Sequence, residues 1–153
     1  MIAVIYARVS SNSGRQDTER QVNELSAYAR NNNIEVAKVF QDYVSGATPN
    51  VQRWVLQNCL KYCTEENTKV SCILMSEVSR LGRDTWEMIE LVKFFHDHHL
   101  NVYFMRENLF MSSRLTNIFA QSQSISAIYV LRLSLSVSFP NRQRECFLLQ
   151  TGG

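Results

Sequence analysis

Short apolar runs and helical spacings alternate along the first two-thirds of the chain. Residues 2–6 form a continuous apolar run, the pattern of a strand covered on both faces. A polar loop over residues 10–15 follows, and Asp17 is placed to cap a helix whose apolar side carries Val22, Leu25 and Ala29. Asn31-Asn32-Asn33 terminates that helix, and residues 34–40 read as a second strand. Residues 41–49, marked by Ser45-Gly46 and Pro49, read as a loop. Asn50 is then the expected N-cap of a helix with Leu56, Cys59, Leu60 and Cys63 at i, i+3, i+4 and i+7. Residues 70–75 predict a third strand and residues 76–83 a polar connection. Asp84 is expected to cap a helix with the same spacing at Met88, Leu91, Val92 and Phe95, and residues 100–105 supply a fourth strand.

Strands alternating with helices predict parallel βαβ units. The fold class is therefore α/β, a three-layer sandwich around a mainly parallel sheet of four to five strands. Ligands in such sheets sit beyond the carboxyl ends of the strands. The loops at residues 8–10, 45–46 and 79–83 each follow a strand, so all three fall on that edge. The pattern changes after Phe110. No acidic residue occurs between Glu107 and Glu145, and Leu131, Leu133, Leu135, Val137 and Phe139 alternate with Arg132, Ser134, Ser136 and Ser138. A period of two is a strand signature.

Composition adjusts this picture only slightly. A chain of 153 residues is one domain's worth, and 45% hydrophobic with 20% charged residues is ordinary for a globular protein. A net charge of +2 permits nucleic acid as a partner without arguing for it. No run reaches the roughly 20 apolar residues that span a bilayer, and residues 1–5 lack the basic start of a signal peptide. The expectation is a cytoplasmic protein with no membrane partner. Cys59, Cys63, Cys72 and Cys146 have no framework spacing and are expected to be reduced core thiols. His96-Asp97-His98-His99 ends a helix, where imidazoles complement the dipole, and no second ligand group stands at zinc spacing, so no metal is expected. Trp86, Phe94 and Phe95 are expected to pack their helix rather than stack on bases.

The strand-end loops carry the chemistry. A phosphodiester is negatively charged and gains charge as a nucleophile adds, so a catalyst must set fixed cations around it. Arginine suits this because its planar fork donates parallel hydrogen bonds and never deprotonates. Those loops contain Arg8, Arg80 and Arg83, and the start of the second helix adds Arg53. Ser10 follows Arg8 by two residues, on the same side of an extended backbone, which sets a hydroxyl nucleophile beside its own electrostatic stabiliser. Ser11 points the other way.

The order of these residues is more specific than any one of them. Tyr6-Ala7-Arg8-Val9-Ser10, then Arg15-Gln16-Asp17 with Gln21 and Leu25, resembles the opening signature of the resolvase/invertase family of serine site-specific recombinases. Asp42 with Ser45-Gly46, followed by Arg53, is similar to the family's second block. Glu77-Val78-Ser79-Arg80-Leu81-Gly82-Arg83-Asp84 is similar to its third. The resemblance covers residues 1–111 and implies the roles that follow. Ser10 attacks a DNA phosphodiester, giving a 5′-phosphoserine link and a 3′-hydroxyl. Arg8, Arg80 and Arg83 bind the non-bridging oxygens. Arg53 supports the site, Gln21 and Gln16 position the active-site loop, and Asp42 is a supporting acid. The resemblance also implies no cofactor or metal and double-stranded DNA as partner. It implies homodimers that pair into a tetramer, and work in the bacterial cytoplasm on the chromosome or a mobile element. Ser79 departs from an acid found in several members, and Trp54 from a frequent proline, where the indole is expected to cover the core.

The family domain continues into a long charged helix that builds the dimer and crosses the minor groove. Residues 112–139 are instead Ser-rich, acid-free and β-patterned, and only Arg142-Gln143-Arg144-Glu145 resembles later parts of that helix. The expected organisation is a catalytic domain over residues 1–111 and a divergent segment over 112–153, with no separate DNA-reading domain. The segment has the character of a replacement, or of a stretch read in a shifted coding frame, which weighs against dimerisation. Two other readings compete: an inactive remnant acting at most as a binding or dimerisation module, and a flavodoxin-like module for a phosphate ligand. The second lacks a Gly-rich phosphate loop.

Overall fold

The computed structural model describes residues 1–9, 14–45, 47–81 and 85–113. The readings for Ser10, Ser11, Gly46, Arg83, Asp84 and residues 114–153 lie outside the described residues, as does the Gln16 side chain. In chain order the elements are β1 (Ile2–Val9), α1 (Gly14–Asn31), β2 (Glu35–Tyr43), α2 (Trp54–Thr64), β3 (Cys72–Met75), α3 (Thr85–Asp97), β4 (Asn101–Phe104) and β5 (Leu109–Met111). Short 3₁₀ turns occupy Asn50–Gln52, Glu66–Thr68 and Val78–Arg80.

The sheet order is β2-β1-β3-β4-β5. The first four strands run parallel and β5 returns antiparallel to β4. Both faces of β1 are covered, so its residues from Ala3 to Val9 are all buried, as the continuous apolar run predicts. Ala3 and Ile5 face one core with Leu25 and Ala29 of α1. Val4 and Tyr6 face the other, with Leu56, Cys59 and Cys63 of α2 and Leu91, Val92 and Phe95 of α3. This is the three-layer α/β sandwich. The thiols of Cys59, Cys63 and Cys72 are buried in these cores, and burial pushes Cys72 up to about 12, an inert neutral thiol.

Several boundaries differ from the sequence expectation for local reasons. The first helix starts at Gly14, so Asp17 sits within its first turn, near the positive end of the dipole, rather than at the cap. The second strand continues to Tyr43, because parallel pairing with β1 runs on from Ala7↔Gln41 to Val9↔Tyr43. Asn50 does not cap α2: a 3₁₀ turn begins there, Arg53 is the N-cap residue, and the Asn50 side chain serves Arg53 instead. Two tryptophans contradict their expected packing. Trp54 and Trp86 stand on the surface, whereas Phe95 is buried and Phe94 packs against the core. Each tryptophan stands in the first turn of its helix, and both are largely exposed. Asn33 and His99 adopt left-handed backbone (φ 53° and 55°) and close α1 and α3, with Ile34 and Leu100 amides donating back to Ala29 and Phe95 carbonyls.

The sheet order contains a topological switch point. After β2 the chain returns across β1 to form β3, so consecutive connections leave β1 on opposite sides. In open α/β sheets ligands bind beyond the carboxyl ends of the strands at such a switch point, and Arg8 lies at that end of β1.

Candidate active site

Three strand-end loops meet at Arg8. This residue is buried near the end of β1, and its guanidinium reaches past both neighbouring strands. Nη2 donates to the Ser79 carbonyl at 2.9 Å, beyond β3, and Nη1 to the Val44 carbonyl at 3.5 Å, beyond β2. Alternation along β1 puts Arg8 on the same face as Tyr6, towards α2 and α3.

Arg53 is the hub beneath them. Its side chain is 2% exposed, so each donor must find a partner within the protein, and all five do. Nε faces Asp42 Oδ2 at 3.4 Å. Nη1 donates to Asn50 Oδ1 at 2.6 Å and to the Leu81 carbonyl at 2.9 Å. Nη2 donates to Tyr6 Oη at 2.5 Å and to the Arg80 carbonyl at 2.8 Å. Tyr6 Oη in turn donates to Asp42 Oδ2 at 2.5 Å. Burial pushes the Tyr6 phenol well above its ordinary value; the Arg53 charge opposes this, and the Asp42 carboxylate reinforces it. The phenol therefore stays a neutral donor. One buried carboxylate, one phenol and one guanidinium tie β1, β2, α2 and the Arg80-bearing turn together.

Arg80 is aimed by an ion pair with Glu77, which also accepts from Arg106 Nη1 at 2.7 Å. Burial would push the Glu77 carboxyl up, but the Ser79 hydrogen bond and the Arg80 and Arg106 charges more than offset it and hold the carboxyl below the usual range. Arg8 is shifted down, by burial first and then by the neighbouring Arg53 and Arg80 charges. Among the described residues, neither Arg8 Nε nor Arg80 Nε has a hydrogen-bond partner, although both are buried. Two guanidiniums that repel each other and carry unused donors form a site suited to an anion.

The structure thus brings Arg8, Arg53, Arg80 and Asp42 into one cluster. Gln21 joins the same edge through α1: it is buried, and its Oε1 accepts from Ser76 Oγ at 3.1 Å, just past β3. Tyr6, Asn50 and Glu77 were given no site role from the sequence. Tyr6 left a signal, as the one residue with a polar tip in the apolar run of residues 2–6. Asn50 and Glu77 left none, since their roles depend on contacts made by Arg53 and Arg80.

Comparison with known proteins gives the family and the fold. The family model "Resolvase, N terminal domain" matches residues 3–134. A resolvase/recombinase of Pseudomonas putida is 34% identical over 104 residues, 68% of this chain and 51% of its own, so the chain spans about half the length of that curated relative. The C-terminal catalytic domain of ISC1926 TnpA, an IS607-like serine recombinase, superposes with a TM-score of 0.60 at 31% identity, over 69% of this chain and 67% of that one. The N-terminal catalytic domain of TP901-1 integrase shares the fold, with a TM-score of 0.66 at 24% identity over 90% of this chain and all of that one. No helix among the described residues is long and apolar enough to cross a membrane. With its arginine cluster at the end of β1 and a family match over most of its length, the chain belongs to the resolvase family of serine site-specific recombinases.

Proposed function

We propose that this chain cuts and rejoins DNA through Ser10, with Arg8 and Arg80 holding the reacting phosphate. The observation that carries the reading is the pair of buried Nε donors, unpartnered among the described residues, on two mutually repelling guanidiniums at the sheet's switch point. A phosphodiester supplies the missing charge and acceptors together.

In this reading the Ser10 oxygen forms a bond to phosphorus as the bond to the 3′ oxygen breaks. The serine gives up its proton and the departing 3′ oxygen gains one, leaving a 3′-hydroxyl and a 5′-phosphoserine. Reversal of the same step with a new 3′-hydroxyl religates the strand, so no further energy source enters. Arg83 joins Arg8 and Arg80 on the non-bridging oxygens, and Gln16 and Gln21 hold the loop that carries Ser10. Arg53 and Asp42 act one step back. With all its donors engaged internally, Arg53 is a positioning residue that sets Arg80 and Tyr6, not a group that touches DNA. Double-stranded DNA is the substrate, and paired dimers are the exchanging assembly.

A suicide DNA substrate, from which the released strand cannot return, tests this directly. A covalent protein–DNA adduct on a denaturing gel, abolished by Ser10→Ala, is the expected result. No adduct from a folded chain on any resolvase-type substrate would leave the remnant reading in its place.

A further inference from the structure

Three apolar side chains stand out at the strand-end edge. Val51 is 77% exposed, Trp54 74% and Trp86 69%, although large apolar groups elsewhere in the two cores are buried. A hydrogen bond draws them together: the Asn50 amide donates to Glu87 Oε1 at 2.8 Å, joining the turn before α2 to the start of α3. Val51 and Trp54 follow Asn50 on one side of that bond, and Trp86 precedes Glu87 on the other. Arg53, next to Trp54, holds the Arg80 and Leu81 carbonyls. The helix starts that carry the two indoles therefore adjoin the segment bearing Arg80.

We propose that Val51, Trp54 and Trp86 form a stacking platform for an unpaired DNA base beside the phosphate held by Arg8 and Arg80. The proposal rests on the recombinase reading of that phosphate site. Cutting a strand releases the nucleotide at the break from its stack, and an indole takes up any base because every base has a π-face. The platform is rigid, since the Asn50–Glu87 bond and the Arg53 network fix both helix starts. The Glu87 carboxylate within it accepts from the Asn50 amide through Oε1. Size favours a base over a second copy of the chain. Two indoles and a valine offer on the order of 400 Å², about half of the ~800 Å² that each partner brings to a standard protein interface.

The chain has two tryptophans, both in this patch, so its indole fluorescence reports on the platform alone. The test titrates the full chain with a mixed-sequence single-stranded oligonucleotide and with the same sequence as intact duplex. Expected are quenching by the single strand, and a Kd for it raised at least about fivefold by Trp54→Ala or Trp86→Ala. Trp54→Tyr, which keeps an aromatic face, retains most of the affinity. If an alanine variant loses its far-ultraviolet circular dichroism, the wild-type comparison of single strand with duplex decides alone: quenching no stronger for the single strand overturns the platform. Unchanged affinity in folded alanine variants overturns it as well. So does a fluorescence change on concentrating the protein without DNA, accompanied by a doubled sedimenting mass, which assigns the patch to a second copy. A Ser10-dependent adduct without quenching defeats the platform and leaves the recombinase reading intact. Quenching without any adduct does the reverse.

Discussion

At the scale of the residue, Arg53 shows how one side chain can organise a site it does not enter. Its fork satisfies the Asp42 carboxylate, the Tyr6 phenol, the Asn50 amide oxygen and two carbonyls of the loop bearing Arg80. Taking it away strands a buried carboxylate and several acceptors at once. Removing one partner of a buried pair costs about 3–5 kcal/mol, so Arg53→Ala is expected to lower the urea midpoint by a stability loss of that order. Arg53→Lys supplies three donors where five are used and rescues only part of it. A loss under about 1 kcal/mol in Arg53→Ala would mean that the network does not hold the fold. The sequence suggested an arginine at this position because of its order among other motifs. That its donors turn inward depends on Asp42, Asn50 and the 80–81 carbonyls arriving from three separate segments.

At the scale of the element, the turn after β3 depends on Glu77. The carboxylate pairs with Arg80 and Arg106, and its folded value lies below the ordinary one despite burial. A depressed carboxylate contributes stability that is present above its unfolded value, about 4.3 for Glu, and lost as pH falls through the folded value. Thermal melts are therefore expected to drop more steeply below that pH for the wild type than for Glu77→Gln. Parallel curves would remove the role assigned to Glu77. The element scale also shows where apolar patterning stops informing. β2 reads as ending at Phe40 because Gln41 and Asp42 are polar, yet pairing with β1 continues through them. A strand at the sheet's edge leaves alternate residues in water, and this one buries Asp42 for the network instead of for the core. Its register shift opposite Ala3 and Val4, and exposed Lys38, suit an edge that must not pair with another chain.

At the scale of the whole molecule, the order β2-β1-β3-β4 decides what the loops can do together. It brings Arg8 at the end of β1 within reach of Val44 beyond β2 and Ser79 beyond β3. Family membership sets aside the reading as an unrelated phosphate-ligand module. The family match extends to residue 134, into the acid-free stretch between Glu107 and Glu145. If residues 112–140 are read in a shifted frame, translating the coding DNA in the other two frames yields a charged amphipathic helix in one of them. A charged helix in neither frame ends that explanation and leaves a divergent segment.

The sequence by itself determined the α/β class, the alternation of strands and helices, the buried β1, and the arginines gathered on one edge of the sheet. These are legible because apolar period and motif order are local properties of the chain. The tertiary structure alone decided that Arg53 engages all its donors while Arg8 and Arg80 each keep an Nε unpartnered among the described residues, that Tyr6 and Asp42 form one network, and that Trp54 and Trp86 are exposed. Each of those depends on what arrives from a distant segment to satisfy a donor or cover a ring, and no local pattern records it.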